Sequence, residues 1–115
     1  MISGIYNFTV DQGATFNRHI AITNPDNSVF DLTGYSARMQ IRRDVAATVV
    51  MLELTTDNGF LTVNGSAGTI DVYMTPTETS LLDRDGVYDL EIYDASGVVY
   101  RLIRGIVRVN LEVTR

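Results

Sequence analysis

The 115-residue chain has no Cys, a net charge of −5, and nine basic residues that are all Arg. Disulfides, thiolate metal sites and thiol nucleophiles are therefore excluded, and an acidic chain lacks the clustered positive charge that sequence-independent nucleic-acid binding requires. The length suits one domain, residues 1–115, able to bury its own core. No run approaches the eighteen or so apolar residues of a membrane span. The opening MISGIYNFTV lacks the basic and apolar regions of a secretory signal. Arg without Lys fits both bidentate interface contacts and a compositional habit of the source.

The dominant period along the chain is two, the period of half-buried strands. A first strand is expected over Ile5–Val10. In the second, Phe16, Ile20 and Ile22 alternate with Asn17, His19 and Thr23, while Arg18 falls in the apolar phase and so sits at an edge or pairs with a carboxylate. Asn24-Pro25-Asp26-Asn27-Ser28 is turn chemistry; a short Val29–Leu32 segment and the turn Asp31-Leu32-Thr33-Gly34 follow. Tyr35, Ala37, Met39 and Ile41 then alternate with Ser36, Arg38, Gln40 and Arg42. Further strands are predicted over Val49–Leu54, Phe60–Val63 and Thr69–Met74, with Asn58-Gly59 and Asn64-Gly65 supplying the positive φ angles of tight hairpins. Thr75-Pro76-Thr77-Glu78 is a capping box with Pro at the first helical position, which predicts a short helical turn near residues 76–82.

The last two strands are expected over Val87–Tyr93 and Val98–Thr114, joined by Asp94-Ala95-Ser96-Gly97, in which Asp bonds the backbone and Gly takes positive φ. In the final strand Tyr100 and Leu102 are apolar at even positions, but Val107, Val109, Leu111 and Val113 at odd ones. A strand cannot change faces without an extra residue, so a β-bulge is expected near Arg104-Gly105. About eight short antiparallel strands with regular turn signals make this an all-β chain folded as a β-sandwich.

The segment Leu82…Gly86-Val87-Tyr88-Asp89-Leu90 resembles the E–F corner of immunoglobulin-like domains. By that resemblance Leu82, Asp85 and Gly86 shape the corner, and the Tyr88 hydroxyl bonds back to nearby backbone. Leu90 stands where the family has Cys, the usual acidic position falls at Arg84 between Asp83 and Asp85, and there is no Trp. The fold implied is an antiparallel immunoglobulin-like sandwich.

Chemistry-bearing residues are sparse. His19 is the only His and lies on the polar phase of a strand. No Gly-x-Ser-x-Gly elbow, GxxxxGK[ST] loop or GxGxxG turn accompanies it, so no enzymatic activity and no cofactor are expected. Asp83-Arg84-Asp85-Gly86 begins like a calcium loop, but Ile92 stands where the bidentate Glu would be. The carboxylates of residues 81–97 read as turn-makers and solvent-facing strand residues.

Some apolar residues fall on the outward phase. Val49 and Met51 alternate with Val50, Leu52 and Leu54, and Ile103 lies opposite Leu102. With Arg101, Arg104 and Arg108 they have the apolar-plus-Arg composition of protein interfaces. Partial cover of both faces by loops explains the same pattern equally well.

Two stretches resemble small structural proteins of bacteriophage particles. Tyr88-Asp-Leu-Glu-Ile-Tyr-Asp…Gly97…Tyr100-Arg-Leu-Ile-Arg-Gly105…Val109…Glu112-Val-Thr-Arg115 is similar to their endings. Asp11-Gln-Gly-Ala-Thr-Phe, Asp31-Leu-Thr-Gly-Tyr and Met39-Gln-Ile-Arg42 are similar to their openings and to N-terminal modules of baseplate and tail-fibre proteins. The resemblance implies a non-enzymatic structural or adaptor protein of tail, baseplate or neck. It would be made in the host cytoplasm, reside in the virion, and dock on other phage structural proteins as a homo-oligomer, with no nucleic-acid or membrane partner. A capsid decoration protein and a module binding carbohydrate or a host surface are the alternatives; for sugars, Tyr6, Tyr35, Tyr73, Tyr93 and Tyr100 are the candidate stacking residues. The final strand, running almost to Arg115, is expected to pair at its edge with a neighbouring subunit.

Overall fold

The computed structural model describes residues 4–114. Nine strands and one short helix follow in the order β1 (Gly4–Ile5), β2 (Phe8–Asp11), β3 (Phe16–Ala21), β4 (Ser36–Arg42), β5 (Leu52–Thr55), β6 (Leu61–Asn64), β7 (Thr69–Met74), α1 (Pro76–Ser80), β8 (Gly86–Tyr93) and β9 (Val99–Asn110). The larger sheet runs β5-β4-β8-β9, with β1 and β2 in turn along the far side of β9; the smaller runs β3-β7-β6. This is an all-β sandwich. Its small sheet takes the places of strands B, E and D of an immunoglobulin-like domain, and its large sheet those of C′, C, F and G.

Alternation builds the core. Ala37, Met39 and Ile41 of β4, Ile70, Val72 and Met74 of β7, and Tyr88, Leu90 and Ile92 of β8 are all buried between the sheets. Each large apolar side chain so buried contributes about 1.5–3 kcal/mol. The helix crosses from β7 to β8. Glu78 accepts the Thr75 N–H at 3.0 Å, closing the capping box. Thr79, fully buried, donates to the Ala14 carbonyl at 2.9 Å and accepts from the Gly13 N–H at 3.1 Å, fastening α1 to the β2–β3 connection.

Several expectations need correction. The sandwich is not wholly antiparallel: β1 and β2 both pair parallel to β9. The expected first strand is broken at Tyr6-Asn7, where the Asn7 side-chain oxygen accepts the Ile106 N–H at 2.9 Å in place of a backbone carbonyl. The bulge falls at Leu102, not at Gly105: Leu90 pairs with Ile103 but Glu91 with Arg101. The extra residue turns Leu102 and Ile103 to the same side, and both are buried. Gly105 instead serves close approach. A Cβ there would lie 2.2 Å from the Tyr6 carbonyl oxygen, so only Gly lets the N-terminal segment cross.

Tyr88 is not a local corner tyrosine. Its hydroxyl donates to that same Tyr6 carbonyl at 2.5 Å, across 82 residues of sequence. Nor is β9 an edge. It is flanked by β8 on one side and β1 and β2 on the other, and it ends at Asn110. Val49–Met51 lie outside any strand, and Val29 makes only an isolated bridge to Thr23. At the two Asn-Gly pairs, Gly59 has positive φ but Asn58 and Gly65 do not; the second turn is carried by Gly68.

Two of the edge strands, β5 and β3, are guarded. On β5, Asn58 accepts the Thr55 N–H at 2.9 Å and donates to the Glu53 carbonyl at 3.0 Å, occupying the place of a neighbouring strand. On β3, Arg18 points inward, donates to the Tyr6 hydroxyl at 2.8 Å, and lies over the Phe16 ring at 5.4 Å. It closes the open seam between the sheets as an inward-facing charge on an edge strand.

Candidate interaction surface

The outward phase of the large sheet carries the densest polar chemistry. Register places Arg38 opposite Glu91 and Gln40 opposite Asp89 across β4 and β8, and Asp89 opposite Arg104 across β8 and β9. Arg38 donates to Glu91 at 2.9 Å and its guanidinium lies 4.7 Å from the Tyr93 ring. Gln40 donates to Glu53 at 2.6 Å. Arg42 donates to the Gln40 side chain at 2.7 Å and to the Ala47 carbonyl at 2.8 Å, which ties the β4–β5 loop to the sheet.

Where this ladder meets the loop and β1, the face sinks into a depression of about 540 Å³. Its apolar surface comes from Ile5, Val45, Val87 and Ile106, and its charge from Arg42, Arg101, Arg104 and Asp89. Val45 and Ile5 are 89% and 73% exposed, so the apolar surface faces solvent. Arg101 sits 3.7 Å from Asp89. The Arg104 side chain has no ion-pair partner among the described residues.

The six candidate interface residues are not brought together. Arg101 and Arg104 belong to this depression. Ile103 faces the core because of the bulge, so its place in an interface is withdrawn. Val49, 73% exposed, and Met51 line a second depression of about 580 Å³ with Arg43 and Arg84. Arg108 lies at the far end of β9, 3.8 Å from Asp85. Of the structural residues, Leu82 is fully buried, and Asp85 accepts the Val109 N–H at 2.8 Å. Gly86 leaves room for the Arg42 carbonyl, which a Cβ would approach to 2.6 Å.

Sequence reasoning missed Arg42, Ile5, Val45, Val87 and Ile106. Val87 was legible, being apolar on the outward phase opposite Tyr88 and Leu90. Ile106 was legible in the same way, being apolar on the outward phase beside Val107, whereas Val45 was hidden by the loop fold that Arg42 imposes.

Elsewhere the polar groups are used locally. His19 Nδ1 bonds Asp71 Oδ1 on the outer face of the small sheet, and Asn64 donates to the same carboxylate at 3.1 Å. The His19 bond first, and Asn64 second, hold the Asp71 carboxyl below its ordinary range. Asp83 and Asp85 stand beside Arg84 and Arg108. No group of three or more His, Asp or Glu among the described residues is placed to share a metal ion. The candidate tyrosines are dispersed. Tyr6 receives Arg18, Tyr93 carries Arg38, Tyr35 packs on Tyr100, and Tyr73 stands on the small sheet.

Neither the models of known protein families nor the curated proteins contain a match to this chain.

Proposed function

We propose that the protein is a non-enzymatic docking module of a bacteriophage particle, a structural or adaptor subunit of tail, baseplate or neck. One observation supports docking above the others. A chain of net charge −5 gathers three Arg against one Asp around a solvent-exposed apolar depression. Apolar surface ringed by arginine is the composition of interface centres, and charge opposite to the rest of the molecule selects the orientation of a partner. The phage assignment rests on the sequence resemblance.

Localising the protein in intact particles by cryo-EM tests the reading directly. Density for the sandwich in the tail, baseplate or neck is expected, with the large-sheet depression covered by another subunit. Absence from purified particles overturns the assignment, and a position on the capsid shell replaces it with decoration.

A further inference from the structure

The depression has a counterpart on the same molecule. Beyond β9 the chain continues past Asn110 and is held in place rather than left loose. The Gln12 N–H donates to the Asn110 carbonyl at 2.9 Å, and the Gln12 side chain accepts the Glu112 N–H at 2.9 Å while donating to the Leu82 carbonyl at 3.2 Å. The Glu112 carboxylate packs onto Gly13, in space a Cβ would occupy. With Glu112 turned inward, Leu111 and Val113 are presented to solvent, 64% and 90% exposed. An anchored pair of outward apolar side chains is a knob, and its surroundings are acidic. Among the described residues, Asp11, Asp85 and Glu112 stand there against Arg108.

Knob and depression are therefore complementary in both respects. One is convex, apolar and acidic; the other is concave, apolar and basic. They cannot meet within one molecule. Leu111 lies five residues along the chain from Ile106, which lines the depression, and seven from Arg104, roughly 15–25 Å at the rise of an extended strand. The bonds from Gln12 prevent the segment from folding back.

We infer that the protein binds a second copy of itself head to tail, with Leu111 and Val113 of one copy entering the depression lined by Ile5, Val87 and Ile106 of the next, and Arg104 facing the acidic surroundings of the knob. Because the two surfaces differ, the contact is heterologous: each copy keeps one free knob and one free depression, and the association grows into a ring or a filament rather than stopping at a dimer. This rests on the docking reading above and names the first partner as the chain itself.

Sedimentation velocity and light scattering over a series of protein and salt concentrations test it. The wild-type mass is expected to rise with concentration beyond twice the monomer and to fall back as salt screens the charges. Arg104→Glu with Ile106→Ser should abolish association, as should Leu111→Ser with Val113→Ser, each with an unchanged melting temperature showing that the fold survives. Mixing the two variants is the decisive arm. The first keeps a sound knob and the second a sound depression, so the mixture should form one heterodimer and grow no further. A wild-type chain that stays monomeric throughout overturns the inference, and so does a knob variant that associates like the wild type or a mixture that forms no heterodimer. Particle incorporation separates this result from the docking reading: a monomeric protein still incorporated through its depression leaves docking intact and removes only the self-contact.

Discussion

Two parts of the large sheet are held by opposite strategies. The β8–β9 hairpin turn is local: Asp94 accepts the N–H groups of Ser96 and Val98, both at 3.0 Å, and Gly97 takes a φ of +91°. The seam where the N-terminal segment crosses β9 is long-range. There the Tyr6 carbonyl sits over Gly105 and receives the Tyr88 hydroxyl, while Arg18 closes the gap from the small sheet. The turn is exposed and its bonds compete with water, so each contributes little. The seam is half-buried around the buried Tyr88 and each of its groups has few substitutes, so small changes there are costly.

The sharpest way to break the comparison is Gly105→Ala. The added Cβ has no room beside the Tyr6 carbonyl, and forcing backbone apart in a packed region costs roughly 3 kcal/mol. The melting temperature should drop by about 10–20 °C on calorimetry; a change of a degree or two would mean that the N-terminal segment is not held there.

Tyr88→Phe comes next. It leaves the Tyr6 carbonyl without its donor at a cost of about 2 kcal/mol, read from the urea midpoint. Burial, and less strongly the charge of the Tyr6 phenol, raises the Tyr88 hydroxyl far above the ordinary phenol range. The unfolded chain ionises near pH 10 while the folded one stays neutral, so stability should fall as pH rises above about 10. The Phe variant should flatten that alkaline decline. An equal decline in both proteins would show that Tyr88 does not cause it.

On the local side, Asn58→Ala removes the amide that covers the β5 edge. The expected loss is about 1 kcal/mol, with a larger effect on solubility, since the uncovered edge can pair with another chain. Unchanged aggregation on heating would show that the edge is blocked by something else.

The smallest effect is expected at Asp94→Asn, which keeps the acceptor but not the charge. Bonds from the Ser96 side chain and from the Val98 N–H, in that order, hold the Asp94 carboxyl below its ordinary range. Its contribution is therefore present above about pH 4, where the unfolded aspartate is ionised. It is lost as pH falls through the lower folded value. Wild type and variant should converge in stability at acid pH, and a gap that persists to pH 2 or so would point to a cause other than titration.

The same contrast explains what the sequence made legible. Asp94 to Gly97, the capping box at Thr75 and the phase of β4, β7 and β8 depend on neighbours a few residues away, so pattern alone reveals them. The bulge was legible as a change of phase between Leu102 and Val107, but its position within that stretch depended on which residues of β9 pair with β8. Tyr88 looked like a corner residue because its local context matched; its partner, Tyr6, is chosen by topology. The depression was the least visible. It is assembled from β1, β4, β8, β9 and a loop, and although β4 adjoins the loop and β8 adjoins β9 in sequence, these two pairs and β1 come from separate parts of the chain.

The parallel pairing of β1 and β2 with β9 has a consequence for the order of synthesis. The Asn7 side chain finds its Ile106 partner 99 residues later, which a ribosome adding roughly 5–20 residues per second supplies only after about 5–20 s. Until then β8 has no second neighbour and Tyr6 has nothing to cross. The sandwich can be sealed only after its final strand has emerged, and such long-range closures are slow. A nascent chain stalled before β9 would present the flank of β8 and the inner face of the sheet to whatever else is being made nearby.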